Sequence, residues 1–107
     1  LTAILLMRAL VARTDWSGLE EGDYLEVMAA VFALLNQAHP FREGNGRASK
    51  MWLDMVSEPA GYYLDYAVVS PGEWNRTSGA SGPDYGEYEP HPEPLRELFS
   101  RIVREKP

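Results

Sequence analysis

Cysteine is absent from this 107-residue chain. That single absence excludes a disulfide framework, a thiolate nucleophile and a zinc-finger ligand set. Only two histidines are present, His39 and His91, which argues against a multi-histidine metal centre. Long apolar runs are missing too. The longest, residues 27–35, has nine residues, against the roughly 20 that a bilayer-spanning helix needs, so no membrane association is expected. Residues 1–12 are apolar but interrupted by Arg8, and no small-residue cleavage site follows. They read as an amphipathic or buried helix, not a signal peptide. Positive charge is scarce: 10 basic residues face 16 acidic ones, for a net charge of −6. Such a chain lacks the electrostatic footprint of generic DNA or RNA binding, so no nucleic-acid partner is expected. Net charge says nothing about a local anion site.

What is present is ordinary for a globular domain: 45% hydrophobic and 24% charged residues. The length fits one domain, residues 1–107, around one core. Because the first residue is Leu1 and not Met, the chain is expected to have been cut or to continue upstream. Helical patterns dominate, so the expected fold class is all-α. Residues 1–13 are rich in good helix formers. Residues 14–22 form a connector. Asp23, with Glu26 three residues on, reads as the N-cap of a second helix over residues 24–38. That helix is apolar on all sides and is expected to be central and buried. A third helix is expected from about Asn45 or Gly46 to Ser57, with Ala48, Met51, Trp52, Met55 and Val56 on its core face. Residues 62–69 read as a short strand or link. Ser70 and Pro71 read as an N-cap and N1 pair opening a short helix to about Thr77. Residues 78–94 read as an irregular acidic loop. Residues 95–106 read as a last amphipathic helix, with Leu95, Leu98, Phe99, Ile102 and Val103 facing inward.

The chemistry concentrates in residues 39–50, His-Pro-Phe-Arg-Glu-Gly-Asn-Gly-Arg-Ala-Ser-Lys. A new helix opening on Gly-Asn-Gly offers unpaired N–H groups and a partial positive charge to an anion. Gly44 and Gly46 remove side chains that would keep a phosphate from the backbone. Arg47 adds a forked cation, and Lys50 follows one turn later. Glu43 beside a polyphosphate requires a bridging cation, and Mg²⁺ takes a carboxylate together with phosphate oxygens. His39, with an ordinary pKa of about 6.5, suits a general base. Singly, Gly-Asn-Gly is a turn and a histidine at a helix end is a dipole partner. Jointly they form a base, a metal carboxylate, an amide cradle and two cations.

His39-Pro40-Phe41-Arg42-Glu43-Gly44-Asn45-Gly46-Arg47 resembles the signature of the Fic family, H-P-F-x-[D/E]-G-N-G-R-x-x-R. Weaker similarity extends from Tyr24 to about Asn75. The resemblance implies a Fic-like helical domain with its active-site loop between two central helices. It also implies transfer of AMP from ATP to a Ser, Thr or Tyr hydroxyl of a target protein. Carried over by position, His39 deprotonates the hydroxyl and Phe41 packs inward to fix the loop. Glu43 holds Mg²⁺, and Gly44, Asn45 and Gly46 form the anion hole, with Asn45 orienting the α-phosphate. Arg47 neutralises the leaving pyrophosphate. Gly46 favours AMP transfer, because a branch that transfers a terminal phosphate carries a bulky Lys there.

Three departures stand out. Lys50 replaces the family's second Arg, and an ammonium cannot grip a γ-phosphate in two-pronged fashion, so weaker ATP binding or tolerance of another nucleotide is expected. The β-hairpin flap that in the family aligns the target segment is not read before the motif here, and is expected to be absent or to lie upstream of Leu1. Ser17-Gly18-Leu19-Glu20-Glu21-Gly22 fits the short inhibitory pattern [S/T]-x-x-x-E-[G/N], but lies in a connector and reads as coincidence. Inhibition is then expected from a small antitoxin-like protein, or from sequence upstream. The implied setting is the cytoplasm, either of the source cell or of a host receiving an effector. A nucleotide-binding regulatory domain without transfer activity, and a toxin paired with an antitoxin, remain the alternatives. Tyr85 and Tyr88 are candidate self-modification sites or plain surface. His91 reads as an exposed loop histidine. Tyr62, Tyr66 and Trp74 either border the adenine or pack in the core.

Overall fold

The computed structural model describes residues 3–38, 45–81 and 92–107. Five helices carry the fold: α1 (Ala3–Arg13), α2 (Glu21–Ala38), α3 (Asn45–Val56), α4 (Pro71–Ser81) and α5 (Glu93–Ile102). Two three-residue strands, β1 (Tyr62–Leu64) and β2 (Val103–Glu105), pair antiparallel. The fold is therefore helical, as expected, with one small ribbon: β1 falls in residues 62–69, read as a short strand or link, whereas β2 falls in residues expected to be helix.

Helix α2 is the central element. Its side chains Tyr24, Leu25, Met28, Ala29, Val31, Phe32, Ala33 and Leu35 are all buried. A helix that is apolar all round needs neighbours all round, and α1, α3, α4 and α5 each pack against it. Its start differs from the expectation. The helix begins at Glu21, so Asp23 lies inside the first turn and is not the N-cap. The Tyr24 amide already bonds the Glu20 carbonyl at 2.8 Å. Both Glu21 and Asp23 then complement the positive end of the helix. Before it, Trp16 in a 3-10 turn is buried in the core, closing the α1–α2 connection.

Helix α5 buries Leu95, Leu98, Phe99 and Ile102, one stripe at i, i+3, i+4 and i+7. It starts at Glu93, so the expected loop is shorter at that end. It also stops at Ile102, four residues short of the expected end. Val103 turns extended, and pairing with β1 captures residues 103–105. The register sets Tyr62 opposite Glu105, Tyr63 opposite Arg104 and Leu64 opposite Val103. Bonds from Asp65 N to Ile102 O and from Lys106 N to Gly61 O, each 2.9 Å, extend the ladder at both ends. Lys106 Nζ also donates to the Glu58 carbonyl at 2.6 Å, just beyond the C-terminal end of α3. A cation there complements the helix dipole, so the chain's last residues brace the helix that carries the motif.

Helix α4 has the expected cap. Ser70 Oγ accepts a bond from the Glu73 amide at 3.1 Å, with Pro71 at the first helical position. It continues to Ser81, past the expected stop at Thr77, so residues 78–81 are helix and not loop. Residues 82–91, with Tyr85, Tyr88 and His91, lie outside the described residues.

Helix α3 spans nearly the expected residues but turns a different face inward. Leu53 is fully buried, and Lys50, Trp52 and Val56 are half-buried. Met51 and Met55, expected in the core, are 64% and 72% exposed. The buried stripe runs through Lys50, Leu53 and Ser57, whose Oγ donates to the Leu53 carbonyl at 2.7 Å. Polar residues at both ends of that stripe conceal it from a hydrophobicity pattern.

Candidate active site

The six residues 39–44 join the C-terminal end of α2 to the N-terminal end of α3. His39, Phe41, Glu43 and Gly44 lie outside the described residues. Asn45, Gly46 and Arg47 form the first turn of α3. This helix is 12 residues long, so its opening amides have no intrahelical acceptor and its N-terminus carries partial positive charge. Asn45 and Gly46 therefore stand at a helix start, where an amide cradle for an anion requires them. Its packing against α2 fixes the helix that presents this turn.

Lys50 is the one sequence-assigned site residue whose side chain is described. Its Nζ lies over the indole of Trp74, 4.1 Å from the centroid, and 5.2 Å from the centroid of the Tyr66 ring. Trp74 is buried and held by aromatic neighbours. Phe32 meets it edge-on at 5.0 Å, Tyr66 edge-on at 5.6 Å, and Phe99 stacks at 6.3 Å. The rings under Lys50 thus form an aromatic wall contributed by α2, the segment after β1, α4 and α5. The proposed link from Tyr66 and Trp74 to an adenine meets a packing role here: both rings are core contacts. Tyr62 belongs to the same layer, 5.6 Å from Tyr24.

Two polar atoms in this wall, Tyr66 Oη and Trp74 Nε1, are buried without a hydrogen-bond partner among the described residues. Burial raises the Tyr66 phenol above its ordinary pKa, with Asp54 and Tyr24 adding to the effect, so it stays neutral. Tyr24 is raised for the same main reason, burial, and again by Asp54. Asp54 itself is pushed up by burial, against the opposing pull of Lys106. Neutral rings suit the cation above them. Among the described residues no group of three His, Cys, Asp or Glu side chains forms a metal cage.

The sequence names Lys50, Tyr66 and Trp74 separately, but no periodicity links positions on α3 and α4. Only the packing of both helices on α2 brings them together.

Against known proteins, the Fic/DOC family model matches residues 3–57. The chain belongs to the Fic/DOC family. It is 31% identical over 90 residues to the probable protein adenylyltransferase Fic of Escherichia coli (strain K12), covering 82% of this chain and 41% of that one. It is 28% identical over 97 residues to a protein adenylyltransferase of Bartonella henselae, covering 91% of this chain and 17% of the relative. Among solved structures, BepC of Bartonella tribocorum, a VirB-translocated effector crystallised with bound AMPPNP, superposes with a TM-score of 0.79 at 26% identity. That match covers 98% of this chain and 48% of BepC. The N-terminal Fic domain of a Bartonella quintana effector gives 0.75 at 28% identity, with 97% and 46% covered. The chain thus spans less than half the length of these relatives. The Fic fold accounts for the central α2 and for a motif helix that begins at Asn45. No helix of the described residues is long and apolar enough to cross a membrane.

Proposed function

We propose that this Fic domain binds ATP with Mg²⁺ and transfers AMP to a Ser, Thr or Tyr hydroxyl of a target protein. The observation that carries this reading is the coincidence of His39–Arg47 with the start of a 12-residue helix at Asn45. The names of the adenylyltransferase relatives and the AMPPNP in BepC support it.

The donor set fits a magnesium ion. Glu43 would hold the ion with its carboxylate, the ligand type that Mg²⁺ takes together with phosphate oxygens. When bound, the ion would neutralise negative charge on the nucleotide's phosphates. The protein's residues do the rest. Amides at Gly44, Asn45 and Gly46 bind the α-phosphate oxygens, Asn45 orients them, and Phe41 fixes the loop. His39 accepts the proton of the target hydroxyl. The hydroxyl oxygen bonds to the α-phosphorus, the α–β bridging P–O bond breaks, and pyrophosphate leaves against Arg47. Positioning and charge stabilisation supply most of the acceleration in such a displacement.

The test is incubation of the protein with a cell lysate and ATP labelled at the α-phosphate. Label appears on protein with the wild type and disappears with His39→Ala. Label that survives His39→Ala, or transfer from γ-labelled ATP, overturns the assignment. Lys50 on its aromatic wall favours a second reading, a nucleotide-binding regulatory domain without transfer. Calorimetric binding of ATP–Mg²⁺ without labelled product distinguishes it. Besides the hydroxyl-bearing target, a small antitoxin-like inhibitor is the partner this reading admits. Co-purification of a small helical protein with the chain tests that partnership, and its presence marks the chain as a toxin component. The setting proposed with this reading is a cytoplasm, its own or, as for the translocated effector BepC, a host's.

A further inference from the structure

The first turn of α3 presents the backbone of Asn45 and Gly46, so the tilt of this helix sets where those amides stand. Its side chains hold the body of the protein on a narrow front. Among the described side chains of α3, residues 50–56, Leu53 alone is buried, with Lys50, Trp52 and Val56 half-buried. A helix packed mainly at its middle behaves as a rod on a pivot. Asn45 precedes Leu53 by eight residues and Glu58 follows it by five, so the two arms are about 12 Å and about 7 Å at the helical rise of ~1.5 Å per residue. A displacement of the tail is therefore magnified at the first turn. That tail is held from far along the chain. Lys106 bonds both sides of the turn that follows α3: its Nζ donates to the Glu58 carbonyl at 2.6 Å and its amide to the Gly61 carbonyl at 2.9 Å. Its charge also acts on Asp54, in the last turn of the helix, pulling that carboxyl down against the upward effect of burial. Lys106 ends the strand β2, which continues directly from α5. Helix α5 is anchored in the core by Leu95, Leu98, Phe99 and Ile102, so the fastening point is itself fixed.

We propose that Lys106 is a positioning residue for the transfer reaction: through Glu58 and Gly61 it sets the tilt of α3, and with it the placement of the Asn45 and Gly46 amides. The inference rests on the transferase reading above and adds to it a residue outside the motif, at the opposite end of the motif helix. Its consequence is kinetic. Misplacing reacting groups by about 1 Å slows a displacement by up to about a hundredfold. Attraction of a bound nucleotide to nearby charge varies only gently over the same distance.

The experiment compares the wild type with Lys106→Arg, Lys106→Met and Lys106→Pro. Arginine keeps both bonds, methionine loses the side-chain bond, and proline, which has no N–H, loses both. Transfer of α-label from ATP to lysate protein is timed across ATP concentrations, which separates the saturated rate from KM. Nitrogen–proton NMR follows the Asn45 and Gly46 amides. The saturated rate falls about fivefold in Lys106→Met, the limit for an exposed charge contact. It falls by about tenfold or more in Lys106→Pro and stays within about twofold of wild type in Lys106→Arg. KM changes by less than about twofold in Lys106→Arg and Lys106→Met. The Asn45 and Gly46 signals move progressively from Arg to Met to Pro. Lys106 is exposed, so Lys106→Met keeps the fold and decides the matter if Lys106→Pro does not fold. A wild-type rate in Lys106→Met, a loss of the same size in Lys106→Arg, a loss that falls on KM instead, or amide signals that stay in place overturns the inference and leaves the transferase reading standing. If the wild type transfers no label, the transferase reading fails, and the two amide signals alone then decide whether Lys106 sets the tilt of α3.

Discussion

The inward face of α3 is the feature most sharply at odds with the hydrophobic pattern, and a pair of alanine substitutions decides it. Leu53 is 0% exposed, while Met55 on the same helix is 72% exposed. Leu53→Ala removes a fully enclosed isobutyl group at the α2–α3 contact. Large-to-small changes at such sites cost about 2–5 kcal/mol, the lost transfer energy plus the cavity. Taking about 3 kcal/mol, a domain of this size loses roughly 10–15 °C in Tm. Met55→Ala removes a side chain already mostly in water, so its cost is below about 0.5 kcal/mol and its Tm shift below about 3 °C. Urea melts followed by circular dichroism give both values, and an unchanged m-value confirms that the native state is the species affected. Because α3 presents Asn45, Gly46 and Arg47, Leu53→Ala also weakens nucleotide binding in proportion to the loosening of the helix. If Met55→Ala costs as much as Leu53→Ala, the helix is rotated as its apolar pattern suggests, and the placement of Lys50 on Trp74 is wrong.

Two smaller effects follow from local geometry. Ser70→Ala removes the acceptor for the Glu73 amide and costs about 1 kcal/mol in a chemical melt, since the cap satisfies an otherwise unpaired donor; no loss there refutes the cap. Asp54 gives a pH signature. Burial raises its carboxyl in the folded state, so the native protein binds its proton more tightly than the unfolded chain does. Stability from this group is therefore highest below the unfolded pKa of about 3.9 and falls as pH rises through the elevated folded value. Asp54→Asn is expected to raise Tm at pH 7 and to leave it unchanged at pH 3. A difference that grows toward acid reverses the sign and rejects the burial argument.

Much of this protein was legible in one dimension. The continuous apolar stretch at residues 27–35 sufficed to place α2 at the centre, because a helix without a polar face must be enclosed. The stripe Leu95, Leu98, Phe99, Ile102 identified the inward face of α5. His39 to Arg47 identified the family, because anion cradles at helix starts depend on contiguous residues and local backbone geometry. The position of Asn45 at a helix start follows from the same local rules.

What one dimension could not supply is whatever depends on partners distant in sequence. Residues 103–105 have helical character of their own, yet β1 captures them as a strand. The inward stripe of α3 includes the half-buried Lys50 and leads to the buried Ser57 just past its end, and polar residues take such places only where a neighbour's surface receives them. The contact of Lys50 with Trp74 and Tyr66 exists because α3 and α4 both lean on α2. Local sequence thus determined the elements and the chemistry of the motif, while tertiary packing alone decided which way α3 faces and what its last cation touches. The reason is range: caps, turns and periodicity act over a few residues, whereas burial and ring contacts depend on surfaces that only the folded chain brings together.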